Sequence, residues 1–314
     1  MSEIKLKVER YIAQGKANGR SQASIAKELG ISTSALSQYL QDKYPGNVEA
    51  IENKARELFD ILEKAATVTK APKYVDTSIS HEVYAVINYC HFNRCIGFAI
   101  GDAGIGKTKA ALKYASDKSE TIYITATKAC KSLKDIYRMI ARKLRISENR
   151  NLLDLQFDIR SKLDGSNKLI IIDEAQHLTL AAIDGIRYFN DNIENEDDEM
   201  AQAQPVGIVF IGNHEINSKM SGRHEQSYDQ VFSRIQMKRF LCTSHVQVDD
   251  IKKLFPELVE KNMEKEIKLL HTIAQSRWGV RGAVKIYQNA SNNADITYDG
   301  LLRMTKVTGI SIIG

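Results

Sequence analysis

The stretch GDAGIGKT, residues 101–108, has the spacing Gly-x-x-x-x-Gly-Lys-Thr. It lies between an apolar run, CIGFAI (95–100), and a helical run, KTKAALKYAS (107–116). A strand, a glycine-rich loop and a helix in that order form a phosphate cradle. Gly101, Gly104 and Gly106 carry no Cβ and let backbone N–H groups approach phosphates. Asp102, Ala103, Ile105 and Lys109 complete the loop and the first helical turn, whose N-terminus adds partial positive charge. Lys107 is placed to reach the β- and γ-phosphates, and Thr108 to ligate Mg²⁺. A second run, KLIIIDEA (168–175), delivers Asp173 to the end of an apolar strand, where it can hold the same Mg²⁺. Glu174 follows directly and can polarise an attacking water. Asn213, just past VGIVFIG (206–212), can orient that water. Arg234, ahead of QMKRFLC (236–242), can reach a neighbouring subunit's phosphates as a finger. Together these residues describe ATP hydrolysis to ADP and phosphate, with ATP and Mg²⁺ as cofactors.

The elements that must position them follow from the apolar pattern. Short continuous apolar runs at 95–100, 121–126, 168–173, 206–212 and 236–242 alternate with helical runs. That alternation predicts an α/β core with a parallel sheet covered on both faces. After residue 242 the strands stop, and 243–314 reads as a helical lid. Residues 1–65 read as helices, 66–74 as a linker and 75–242 as the α/β core. The 314 residues, 43% of them hydrophobic, suffice for two or three domains, since a domain usually runs to ~100–200 residues. No apolar run approaches the length of a membrane span. MSEIKLKVER mixes charges and lacks the apolar stretch of a signal peptide. A cytoplasmic protein with no membrane partner is the expectation. The net charge of +5 is compatible with nucleic acid but does not argue for it. Cys90, Cys95, Cys130 and Cys242 form no C-x-x-C pair, and His91 between the first two does not complete a zinc spacing. Buried thiols in a reducing cytoplasm are expected.

Within QASIAKELGISTSALSQYL (22–40), Ile25, Leu29, Ile31, Leu36 and Tyr39 can pack two crossed helices. Ala26 is small at the crossing and Gly30 turns the chain, a helix-turn-helix pattern. A further helix over 49–66 puts Ile51, Ala55, Leu58, Phe59 and Leu62 on one face. The second helix of the predicted pair presents Ser32, Thr33, Ser34, Ser37 and Gln38 outward. These can bond phosphates or base edges but include no Arg, the commonest base reader. Weak, sequence-indifferent DNA contact, assisted by Arg20, Lys27 and Lys43, is expected; a module for protein contact is the alternative.

The order GDAGIGKT, LIIIDE, Asn213, Arg234 and then a helical lid resembles the AAA+ ATPases. IAKELGISTSALSQYLQDKY, APKYVDTSISHEVY, IIDEAQHL, IGNHEIN, FSRI and GAVKIYQNA extend that likeness over nearly the whole chain. Within the superfamily the chain is similar to the phage Mu-type B transposition proteins. The resemblance implies a five-stranded sheet in the order 5-1-4-3-2. It implies ATP-dependent helical filaments of the protein itself on duplex DNA. It also implies delivery of that DNA to a DDE-type transposase in a bacterial host, stimulation of strand transfer, and disassembly driven by hydrolysis. Two features depart from the pattern. The lid position that often carries a sensor arginine is Lys285, with Arg281 close by, and either can serve. The segment 192–205 looks like an insertion, with acids at Glu194, Glu196, Asp197, Asp198 and Glu199 that would repel DNA.

Filament-type DNA binding would fall to basic loop residues of the core: Lys128, Lys131, Arg145 and Arg150. Two other readings compete with target capture. A helicase loader would prefer single strands. A transcriptional regulator would favour an operator by ~10³ or more over other DNA. If Lys128 contacts phosphate, a charge-removing substitution there should flatten the log–log salt dependence of duplex binding by about one unit of slope. Unchanged affinity and slope in a salt titration would remove Lys128 from the DNA face.

Overall fold

The computed structural model describes residues 2–67, 72, 74–191, 204–220 and 235–310. Arg234 and the acids of 194–199 lie outside the described residues. The chain divides into two compact units, Met1–Lys70 and Ala71–Gly314.

Among its described residues the first unit holds four helices: α1 (Glu3–Ala17), α2 (Gln22–Glu28), α3 (Thr33–Leu40) and α4 (Val48–Thr67). Serines start the first three. Ser2, Ser21 and Ser32 accept hydrogen bonds from the backbone N–H groups of Lys5, Ser24 and Ala35, as N-caps do. Gly30 turns the chain between α2 and α3 at φ +65°. Ile25, Ala26, Leu29, Leu36 and Tyr39 are buried as expected, joined by Val8 and Ile12 of α1 and Ile51 and Ala55 of α4. Ile31, Leu58 and Phe59 pack at the edge of this core. Leu62, on the same face of α4, is exposed.

The second unit is built on five parallel strands: β1 (Ile96–Gly101), β2 (Thr121–Thr125), β3 (Leu169–Asp173), β4 (Gly207–Gly212) and β5 (Ile235–Leu241). Their order is β2-β3-β4-β1-β5, the expected order read from the other edge. β1, β3 and β4 are buried at every position and occupy the centre. That is why they read as unbroken apolar runs. Edge strand β2 alternates between buried and half-buried positions, and edge strand β5 carries Lys238 and Arg239. Charges on an edge strand discourage pairing with another chain.

Successive strand residues serve opposite layers. Phe98, Ile170, Ile172 and Phe210 face α7 (Leu133–Leu144), α8 (Leu152–Leu163) and α9 (Leu180–Arg187). Ala99, Ile171, Val209 and Ile211 face α5 (Ser78–Asn93) and α6 (Lys107–Asp117). The helices over 248–254, 256–260, 264–275, 279–292 and 298–308 join this second layer. Ile251, Phe255, Leu269, Leu270, Ile273 and Ile286 belong to the same apolar cluster as the strand residues. Among the described residues, the lid region therefore shares its core with the sheet. Asp250, 2% exposed, ties the helix over 248–254 to the start of α5. It accepts from the Ser78 backbone N–H at 2.7 Å and from the Gln247 N–H at 2.8 Å.

Phe98 and Phe210 stack at the centre of the sheet, with ring centroids 4.8 Å apart. Phe210→Ala should cost about 3–5 kcal/mol, as large-to-small core substitutions do. Urea unfolding followed by fluorescence of Trp278, the chain's single tryptophan, checks this. A midpoint equal to wild type would contradict the packing.

Candidate nucleotide site

The C-terminal ends of β1, β3 and β4 converge on a cavity of about 420 Å³, whose lining includes Ala103 through Lys109, Asp173, Glu174 and Asn213. The loop after β1 opens directly into α6, with Gly106 as its N-cap at φ +104°. A side chain is strained at that φ, and nothing lies within 4 Å of where its Cβ would be, so the loop is open there. Gly101 is constrained differently from the expectation. Its Cβ would lie 2.2 Å from the Leu241 carbonyl oxygen, so β5, rather than a phosphate, demands glycine at that position. The Lys107 ammonium donates to the carbonyls of Gly101, at 2.9 Å, and Asp102, at 2.6 Å. Burial pushes its pKa down, while Asp173 and Glu174 pull the other way.

Asp173 is 2% exposed. One carboxylate oxygen accepts from the Thr108 hydroxyl at 2.7 Å and from the Tyr123 hydroxyl at 2.8 Å. The other accepts from the Glu174 backbone N–H at 2.8 Å. Thr108 and Asp173 thus form an oxygen pair of the kind that suits Mg²⁺. Glu174 has φ +55°, an uncommon conformation for a residue with a side chain. Gln176, 5% exposed, donates to the Glu174 carboxylate and accepts from the Asn213 backbone N–H at 3.2 Å. The Asn213 side-chain oxygen accepts from the Glu215 N–H at 2.9 Å. Asn213 therefore starts the helix α10 (His214–Met220) as well as lining the cavity.

Asp102 does more than complete the loop. It accepts from the Thr243 backbone N–H at 2.7 Å and contacts His214 Nε2 at 3.2 Å. The cavity also has apolar lining, from Tyr74, Val75, Leu254, Val280 and Val284. Such a surface suits a nucleobase. Arg281 also lines the cavity, and its backbone N–H donates to the Gly104 carbonyl at 2.9 Å. Lys285 is exposed and is not part of the lining. A helix advances ~1.5 Å per residue, so Lys285 lies about a turn farther from the loop, and geometry favours Arg281 of the two.

Sequence reasoning missed Tyr123, Gln176 and Asp250. Gln176 stood two residues from a recognised carboxylate, but Tyr123 sits in an ordinary edge strand and Asp250 in a helix with no motif.

The DNA candidates are dispersed. Arg20 is held by Glu28 and by the Tyr11 hydroxyl at 3.3 Å, so it stabilises its own unit. Ser32 is occupied as an N-cap. Lys27, Thr33, Ser34, Gln38 and Lys43 are exposed and Ser37 is half-buried. Lys128 and Lys131 are exposed between β2 and α7. Arg145 and Arg150 lie beyond the other end of α7, ~18 Å away along its 12 residues. The four do not form one compact patch, and Arg150 pairs with Asp158 at 3.0 Å. His91 bonds the Tyr114 hydroxyl and the Asn167 carbonyl, each at 2.8 Å, through its two ring nitrogens. Burial raises the thiol pKa values of Cys90 and Cys95. Among the described residues no helix is long and apolar enough to cross a membrane.

An AAA domain family matches residues 90–220. The chain is 28% identical over 279 residues to the Mu-like prophage FluMu DNA transposition protein B of Haemophilus influenzae, covering 85% of this chain and 90% of that protein. It is 27% identical over 278 residues to the ATP-dependent target DNA activator B of Escherichia phage Mu, covering 88% of this chain and 83% of that protein. Among solved structures, the Aeropyrum pernix ORC2 protein in ADPNP and ADP complexes aligns with a TM-score of 0.52 at 15% identity, covering 76% of this chain and 70% of that one. At that identity the likeness concerns the fold.

Burial alone would raise the Asp102 carboxyl, but the Thr243 N–H and His214 outweigh it and hold its pKa below the ordinary value. A depressed folded pKa stabilises the fold above the unfolded value of about 3.9, and that stabilisation is lost as pH falls through the folded value. Asp102→Asn should therefore lower stability at pH 7 and weaken its loss between about pH 5 and 2. Urea midpoints measured across that range check both effects.

Proposed function

From a chain that is an AAA-type ATPase, similar along most of its length to the B proteins of Mu and a Mu-like prophage, we propose a protein that binds duplex DNA in its ATP state and presents it to a DDE-type transposase. The observation that carries this reading is the cavity at the strand ends, which the loop, both carboxylates, Asn213 and the lid residue Arg281 all line. A γ-phosphate there would be felt by core and lid together.

Lys107 and the loop N–H groups bind the phosphates. Thr108 and Asp173 would hold Mg²⁺, which when bound supplies charge neutralisation at the phosphate oxygens. Glu174 accepts the proton of the attacking water, and Asn213 orients it. Arg234 is proposed to complete the site of a neighbouring subunit, so that ATP joins subunits into a helical filament. Hydrolysis to ADP and phosphate removes the group that both subunits hold, and the filament disassembles. Lys128 and Lys131 are proposed to track the DNA backbone without reading sequence. The exposed residues of α3 provide a secondary tether to DNA or to the transposase.

Binding to a long random duplex, imaged and titrated with ATP, ADP or no nucleotide, tests this reading. Cooperative, sequence-indifferent coating that needs ATP and fades in ADP is expected. Binding to a single sequence regardless of nucleotide would sink the reading and favour a regulator.

A further inference from the structure

Gln176 is buried, and the two ends of its amide have different partners. The Nε2 group donates to a Glu174 carboxylate oxygen, and Oε1 accepts from the Asn213 backbone N–H at 3.2 Å. Gly212 leaves room for this arrangement, because a Cβ there would lie 2.8 Å from Gln176 Oε1. The backbone carbonyl of Gln176 accepts separately from the Lys219 ammonium of α10. One planar amide therefore links the carboxylate after β3 to the loop after β4. Glu174 itself sits at φ +55°, immediately before the short 3-10 turn Ala175–His177, so its backbone does not follow the strand.

We propose that Gln176 is a positioning residue that orients Glu174 and couples it to the loop bearing Asn213. A shift of that loop toward or away from the terminal phosphate would move the carboxylate with it. The inference rests on the reading of Glu174 as the group that activates water. A merely structural glutamine would fill the same space, and its loss would weaken folding and nucleotide binding together.

Gln176→Met keeps the volume and removes both hydrogen bonds. Gln176→Glu keeps an acceptor for Asn213 but loses the donor to Glu174. Steady-state hydrolysis, binding of a fluorescent ADP analogue and unfolding by Trp278 fluorescence are measured for both, for Glu174→Gln and for the double variant Glu174→Gln/Gln176→Met. Both Gln176 variants should lose kcat by about 10-fold to 100-fold, as small misplacements of a reacting group do. KM and the analogue's Kd should stay within about twofold, because uniform binding is untouched. The double variant should be no slower than Glu174→Gln, since coupled residues are not additive. Wild-type kcat in the Gln176 variants overturns the proposal, as does a kcat loss matched by an equal loss of analogue affinity or a multiplicative double variant. Wild-type hydrolysis by Glu174→Gln would instead overturn the role of Glu174 itself, and the proposal with it.

Discussion

A carboxylate buried at the end of an apolar strand organises this site. Asp173 closes β3 after four aliphatic residues and is 2% exposed. Burying a charge costs several kcal/mol unless partners compensate. The partners come from three places: Thr108 from the loop after β1, Tyr123 from β2, and the backbone N–H of Glu174. The strand order brings them within reach. β2 lies beside β3, so the Tyr123 hydroxyl can meet the carboxylate, while β1 delivers Thr108 from across β4.

Shared contacts also hold the second layer together. The helices after β5 belong to one apolar cluster with α5, α6 and one face of the sheet. Asp250 anchors the first of these helices to the start of α5. Asp102 bonds the chain just after β5 through Thr243. Gly104 meets Arg281 through a backbone hydrogen bond. The glycine-rich loop is thus attached at two points to the chain that follows the sheet.

Much of the site was legible because its parts are local. The glycine-rich loop needs a strand before it and a helix after it, and all three are contiguous in the chain. Asp173 and Glu174 are adjacent at a strand end that the apolar run announces. The core of the first unit was legible for the same reason, since Ile25, Leu29, Leu36 and Tyr39 obey helical spacing. Leu62 shares that spacing and is exposed, since periodicity shows which residues share a face, not which of them are covered.

By itself the sequence determined the apolar strands, the glycine-rich loop between strand and helix and the acidic pair, because each depends on neighbours in the chain. Only the tertiary structure decided that Tyr123 holds Asp173, that Gln176 bridges Glu174 and Asn213, and that Arg281 rather than Lys285 lines the cavity. Those arrangements rest on atomic distances, most of them between segments far apart in the chain, and residue spacing along one segment does not specify such distances.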